Sequence, residues 1–376
     1  MSRTKEEQQA QYKRSVMLSA AGIFGCALAM YGVIKLNVFG LPEDEPAGKS
    51  EGPENERKRN IQMEGPSGFS SSPSVIRIQG RDGVEKVATG NSTVLYFPST
   101  MKLPESLGSL SIRPGQDIPA TSKSEEYQLL GLGIRTVSFI SIQVYIVGLY
   151  VAKTDISILQ QRLVRAAVHP LPDNAEENGV VAATSLVSSE RDALKLLLLD
   201  PKDGEDVWNK ILKDGGIRTA LRIVPTRNTD FLHLRDGWVR GITARAQRAN
   251  TKAKELATAG SSSKELGSEF QDESFGNAVK EFKTVFGGGA RKNVPKSQVL
   301  VLLRDFKGVL DMVLQPDPAE PMRWLGRACD ERISRLIWLN YLAGKTVASE
   351  GARQSIVDGV MGIVERPVGT VVQKVM

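Results

Sequence analysis

Metal-ligating side chains are scarce in this chain: Cys26 and Cys329 are its cysteines, and His169 and His233 its histidines. A zinc site of His and Cys therefore lacks ligands, and neither a disulfide framework nor a CxxC motif can be assembled. Cys26 lies in an apolar run and Cys329 in a late amphipathic segment. Concentrated charge is missing too. The formal charge is +6 over 376 residues, with bases interleaved among acids, which argues against nucleic acid as a partner. At 41% hydrophobic content the chain has enough apolar material for a substantial core, as one large domain or two.

One uncharged run, Ser15–Ile34, has the length of a helix that crosses a bilayer. It exceeds the apolar region of a cleavable signal and no small-x-small site follows it, so a retained single span is expected. Arg3, Lys5, Lys13 and Arg14 precede the run, whereas Lys35 and then Glu43, Asp44 and Glu45 follow it. That asymmetry keeps residues 1–14 on the cis side and sends the bulk of the chain across. Residues 35–73, rich in Pro, Gly, Ser and charge from Leu41 on, read as a flexible linker, leaving 74–376 as the folded domain.

That domain is organised around Leu129–Lys153, LLGLGIRTVSFISIQVYIVGLYVAK. From Phe139 the residues alternate. Ile140, Ile142, Val144, Ile146, Gly148 and Tyr150 form an apolar face, while Ser141, Gln143 and Tyr145 are interspersed on the other, predicting a strand that backs a core on one side and lines a cleft on the other. Gly131 and Gly133 leave room for a close approach by another segment or a ligand, and Arg135, entering an apolar strand just after them, calls for an anion. Upstream, Val84–Ala88 and Thr93–Phe97 around Gly90 and Asn91 predict a hairpin, and Pro98–Ser124 reads as irregular.

Downstream the pattern turns helical. Helices are expected at Ile156–Val168, Arg191–Leu199 and Val207–Leu212, then a strand at Ile217–Pro225. Next comes a helix whose Phe231, Leu234, Trp238 and Ile242 make one apolar stripe, and after a polar, Ser-rich stretch at Thr251–Ser274 another carrying Phe275, Val279, Phe282 and Phe286. Val299–Leu303 and Val309–Leu314 predict a hairpin around Asp305–Gly308. Met322–Leu342 reads as one or two amphipathic helices ended by Gly344, and Ser349 caps a last helix. Strands early and late with helices between them define an α+β domain, a mixed or antiparallel sheet covered by helices.

The LLGLGIR…VYIVGLYVAK pattern resembles the chalcone isomerase-like family, and especially its fungal mitochondrial membrane branch. Val87–Pro104, Phe231–Ile242 and Ala348–Gly362 are similar to family segments in the same order, a likeness running from about Ser74 to Glu365. The resemblance implies an open-faced β-sandwich, an address in the mitochondrial inner membrane and, with the flanking charges, a domain in the intermembrane space. The name-giving members close a ring in an anionic substrate, and Arg135 stands where their motif has the arginine that holds it, so Arg135 is the catalytic candidate if the chain is an intramolecular lyase. Their other donors are not matched: Ile140 meets a threonine, and Phe231 and Trp238 meet a tyrosine and an asparagine. Ser355 and Ile356 do match the family's specificity pair.

An apolar pocket with one cation, lined by Arg135, Tyr145, Phe231, Trp238 and Ser355, suits a hydrophobic carboxylate such as a fatty acid. It also suits haem, whose propionates need a cation and whose iron would find His233, Tyr145 or Cys329 as ligands. A catalyst of chalcone isomerase type and a ligand-free membrane scaffold are the alternatives.

Overall fold

The computed structural model describes residues 77–79, 85–105, 107–108, 110–137, 141–168, 186–258, 268–286, 293–316 and 320–365, all within Ser70–Met376. The expected membrane span and linker fall outside the described residues, as do Ile140 and His169. Among the described residues no helix is long and apolar enough to cross a membrane.

Three short strands, β1 (Arg77–Gln79), β2 (Glu85–Ala88) and β3 (Tyr96–Pro98), pair antiparallel. Between β2 and β3 the chain turns at Gly90, whose φ of 74° suits a residue without a side chain. Asn91 stabilises the turn by accepting from the Thr93 and Val94 amides at 2.8 and 2.9 Å. The hairpin is present, with a wider loop than the sequence suggests.

The main sheet is antiparallel and seven-stranded. Its strands are β4 (Thr100–Pro104), β5 (Ser124–Val137), β6 (Ile142–Ala152), β7 (Thr219–Pro225), β10 (Val299–Arg304), β11 (Leu310–Gln315) and β12 (Arg323–Ala328), in the order β12-β11-β10-β7-β6-β5-β4. A two-stranded ribbon, β8 (Thr229–Asp230) with β9 (Asn293–Val294), lies apart from that hydrogen-bonded order. The helices are α1 (Ile156–Val168), α2 (Ser188–Leu199), α3 (Asp203–Lys213), α4 (Phe231–Thr258), α5 (Glu273–Val285), α6 (Glu331–Leu342) and α7 (Glu350–Val364). Their starts follow capping chemistry: Asp230 accepts from the His233 amide at 2.7 Å, Asp272 from Phe275 and Ser349 from Ala352.

Two apolar clusters flank the sheet. On the helix side Tyr145, Val147, Leu149 and Val151 of β6 belong to one core with the buried faces of α1 to α7. On the other side Ile146, Tyr150, Ala220, Val224, Val301 and Val313 pack with Phe97 of β3 and with Leu103, Leu107 and Ile118 from the chain between β3 and β5. The architecture is an α+β open-faced β-sandwich.

Three local readings need correction. β6 is buried on both faces from Val144 onward, and only Ser141 and Gln143 at its start are exposed. Apolar residues at both parities make it a central strand between two cores, with no open side for a cleft along its length. Second, the first half of Met322–Leu342 is β12: it pairs with β11, and its helix-like spacing of apolar residues comes from a strand with a register shift next to Gly326. Asp330 then caps α6. Third, Pro98–Ser124 contains the edge strand β4, whose short length and lysine weaken its signal.

Candidate functional site

The site grows from the contact of α7 with β5. A methyl group added at Gly131 would collide with the Ser355–Ile356 backbone, at Gly133 with the Gly351–Ala352 backbone, and at Gly359 with the Leu130 carbonyl. Glycine on both elements therefore lets a helix lie directly on the strand, and the close approach expected at Gly131 and Gly133 is that of another segment. Two serines fasten it. Ser355 accepts from the Leu132 amide at 3.1 Å, and Ser349 donates to the Ile134 carbonyl at 2.7 Å.

Arg135 follows at the bulged end of β5, directly opposite Tyr145 on β6. It is partly buried and its Nη1 donates to the Ala348 and Val347 carbonyls, where the chain enters α7. One edge of its guanidinium thus holds the loop. Beside it lie two hydroxyls, Tyr145 and Tyr341, 2.8 Å apart, and the indole of Trp238 donates to Tyr341 at 3.0 Å. Burial pushes the Tyr145 phenol well above its ordinary pKa, with Tyr341 adding and the Arg135 charge opposing. Tyr341 is also raised, again through burial first. Both remain protonated donors at neutral pH.

The direction of this chain of hydroxyls follows from its donors. An indole N–H only donates, so the Tyr341 oxygen accepts from it. If Tyr341 in turn donates its O–H to the Tyr145 oxygen, both are satisfied and the Tyr145 O–H is free to meet an acceptor beside Arg135. Phe231 and Trp238 form the wall behind, 1% and 2% exposed, with ring centroids of 5.7 and 5.8 Å to Phe286. Trp238, expected to be an apolar replacement for a donor, keeps a donor that is spent inside the protein.

Of the five residues predicted to line the pocket, Arg135 and Tyr145 are brought together, Trp238 reaches them through Tyr341, and Phe231 stands one aromatic layer back. Ser355 is engaged with the β5 backbone. Tyr341 was missed; its one signal is a tyrosine within the apolar α6, where a buried hydroxyl needs a partner. For haem the available ligands do not fit: His233 and Cys329 are exposed, on the first turn of α4 and just after β12, and the Tyr145 hydroxyl is held by Tyr341.

An open-faced sandwich with a helix clamped by glycines onto an arginine-bearing strand defines a class, and comparison with known proteins specifies it. The model of the chalcone isomerase-like family matches residues 125–357, so this chain belongs to the chalcone isomerase-like family. Among its relatives, altered inheritance of mitochondria protein 18, mitochondrial, of Debaryomyces hansenii is 31% identical over 243 residues, covering 65% of this chain and 69% of the relative. The protein of the same name from Eremothecium gossypii is 25% identical over 271 residues, covering 72% and 75%. Of solved structures, an Arabidopsis thaliana fatty-acid binding protein matches at 14% identity with a TM-score of 0.39, covering 66% of this chain and 98% of that one.

Proposed function

We propose that this protein binds a hydrophobic carboxylate at Arg135, where the exposed end of β5 meets the start of β6, without catalysing a reaction, while tethered to the mitochondrial inner membrane through Ser15–Ile34 with its domain in the intermembrane space. The observation that carries the binding reading is the convergence of Arg135 with the Tyr145–Tyr341–Trp238 chain. One edge of the guanidinium is anchored by carbonyls, a phenolic proton is available beside it when Tyr341 donates to Tyr145, and the surrounding wall is aromatic. A carboxylate accepts from both groups, and an apolar chain takes the place of water against the wall. The mitochondrial address draws on the names of the relatives, and the orientation on the charges flanking the run.

The same geometry weighs against cyclisation of a chalcone. Phe231 offers no donor and the Trp238 N–H is taken by Tyr341, so an enolate would have only Arg135 and Tyr145 to stabilise it in the transition state, where each lost donor costs about 3 kcal/mol. Turnover of naringenin chalcone at the uncatalysed rate is expected; robust turnover would restore the enzyme reading.

The test of binding is retention of a long-chain carboxylate by the full chain and its Arg135→Ala and Arg135→Lys variants, read by native mass spectrometry. Wild type retains the ligand, Lys retains it partly, since an ammonium lacks the guanidinium's fork, and Ala loses it. Normal retention by a folded Ala variant overturns the site. For the tether, the full chain is expected in the membrane pellet after alkaline extraction; recovery in the soluble fraction removes the span.

A further inference from the structure

On the face of the sheet turned away from the helices, Arg222 stands without a counter-charge among the described residues. Arg222 projects from the middle of β7, opposite Gly148 on β6 and Val301 on β10. Its guanidinium carbon lies 4.4 Å from the centroid of the Phe97 ring. The neighbours on this face are Ile146, Ala220, Val224 and Val301, with Tyr150 as the polar exception. The Tyr150 hydroxyl, however, donates to the Pro98 carbonyl at 2.7 Å. The buried Nη1 of Arg222 has no hydrogen-bond partner among the described residues. Burial lowers its pKa and the charge state of Tyr150 is the one opposing influence.

Other arginines of this domain are treated differently. Arg218, four residues earlier, makes bonds of 2.8 Å to Asp155. Arg327 is paired with Asp311, and Arg335 with Glu331 and Glu269. A guanidinium set among apolar side chains with nothing but a ring beneath it is costly unless an anion arrives. We propose that Arg222 is the floor of a second ligand site, which takes the carboxylate of a small amphiphile. A carboxylate suits it better than a compact inorganic ion because the site offers the parallel donors of one fork and no further cation or ring of amides. An apolar chain suits it because Leu132 and Ile134, on the far side of Phe97 and Gly148 from Arg222, are partly buried hydrophobics at the edge of this cluster. The missing side chain at Gly148 is occupied by Phe97, which a methyl there would meet at 3.0 Å. Phe97 is thereby held against the guanidinium.

This site does not depend on the one at Arg135, and the experiment separates them. Full chain in nanodiscs is titrated with carboxyl-13C octanoate, empty nanodiscs serving as the blank, and the protein-bound carboxylate resonances are counted. Wild type is expected to show one resonance that vanishes in both Arg222→Leu and Arg222→Gln and persists in Arg135→Ala. A second resonance with the converse behaviour belongs to the Arg135 site; its absence would sink that site and leave this one standing. In wild type the octanoate chain should also cross-relax with the Phe97 ring, a readout that needs no folded variant. Octanol, which lacks the charge, should not displace the resonance. No bound resonance beyond the blank, or one indifferent to Arg222→Leu and unaccompanied by contact to Phe97, overturns the proposal.

Discussion

The two faces of the sheet solve the same problem in different ways. On the helix side backbone meets backbone: α7 is seated on β5 through glycines, and Arg135 at the end of that contact donates to loop carbonyls. On the other face side chains meet side chains. Phe97 fills the gap above Gly148, and Arg222 rests on Phe97 with no carbonyl or carboxylate partner among the described residues. An arginine is therefore no single sign of function: one here is partly scaffold, and the other has no scaffold role that its contacts reveal.

The largest expected effect contrasts the glycines of the two faces. Gly359→Ala drives a methyl into the Leu130 carbonyl and Gly131→Ala into the α7 backbone, neither of which can rotate away. Each should cost more than about 3 kcal/mol, at the upper end of overpacking, despite alanine's better helix propensity at position 359. Gly148→Ala meets the Phe97 ring at 3.0 Å and the Leu129 side chain at 3.1 Å. Those are side chains that can shift, so about 1 kcal/mol is expected. Denaturant melts of the three variants check the contrast, and equal losses would show that the α7 contact yields as readily as a side chain.

Next come the arginines without ligand. Arg135→Ala removes a donor from the Ala348 and Val347 carbonyls and should lower apo stability by about 1–3 kcal/mol. Arg222→Leu removes an uncompensated charge from apolar surroundings and should be neutral or stabilising, a reversal of sign on the other side of the same sheet. Thermal melts in ligand-free buffer decide this; a large loss in Arg222→Leu would mean that its stacking on Phe97 carries structural weight.

A smaller effect concerns the hydroxyl chain. Tyr145→Phe leaves Tyr341 without its acceptor and should cost about 1 kcal/mol, whereas Tyr341→Phe orphans both the Trp238 N–H and Tyr145 and should cost more. Tyr341 is the hub in either hydrogen-bond direction, so denaturant melts should rank Tyr341→Phe below Tyr145→Phe, and a larger loss in Tyr145→Phe would mean that Tyr341 does not hold the chain together.

How much of this could be read from the sequence depends on how local each determinant is. The Phe231, Leu234, Trp238, Ile242 stripe, the Asp305–Gly308 turn and the Ser349 cap are written within a few residues, and all were readable. β12 was not, because a strand broken by a register shift at Gly326 shows the spacing of a helix. Arg135 stood out since a charge in an apolar strand is conspicuous. Arg222 is just as conspicuous in TALRIVP, yet its significance lies in what is absent around it, and sequence does not tell which arginine of a strand finds a carboxylate. Tyr341 likewise acquires its role only when α4, α6 and β6 meet.

The last contrast sets Arg222 on β7 against Arg218, the residue immediately before that strand. Arg218 engages Asp155 through side chain and backbone, the backbone amide at 2.8 Å. Burial pushes the Asp155 carboxyl up, but the hydrogen bonds and charge of Arg218 outweigh it and hold the carboxyl below its ordinary value. A carboxyl depressed in the folded state contributes stability that is full above its unfolded pKa, about 4, and that is lost as pH falls through the folded value beneath it. Asp155→Asn should therefore destabilise by a constant amount, on the order of 1–2 kcal/mol, from pH 7 to about 5, and the gap to wild type should close below about pH 4. Among the described residues no carboxylate acts on Arg222, so the difference between Arg222→Leu and wild type should stay flat through the same window. Melts of both variants at intervals from pH 7 to 3 give the two curves. An acid-dependent gap in Arg222→Leu would reveal a carboxylate partner for Arg222 and remove the ground for an external anion there, while a flat gap in Asp155→Asn would mean that the Arg218 pair contributes nothing beyond its neutral hydrogen bonds.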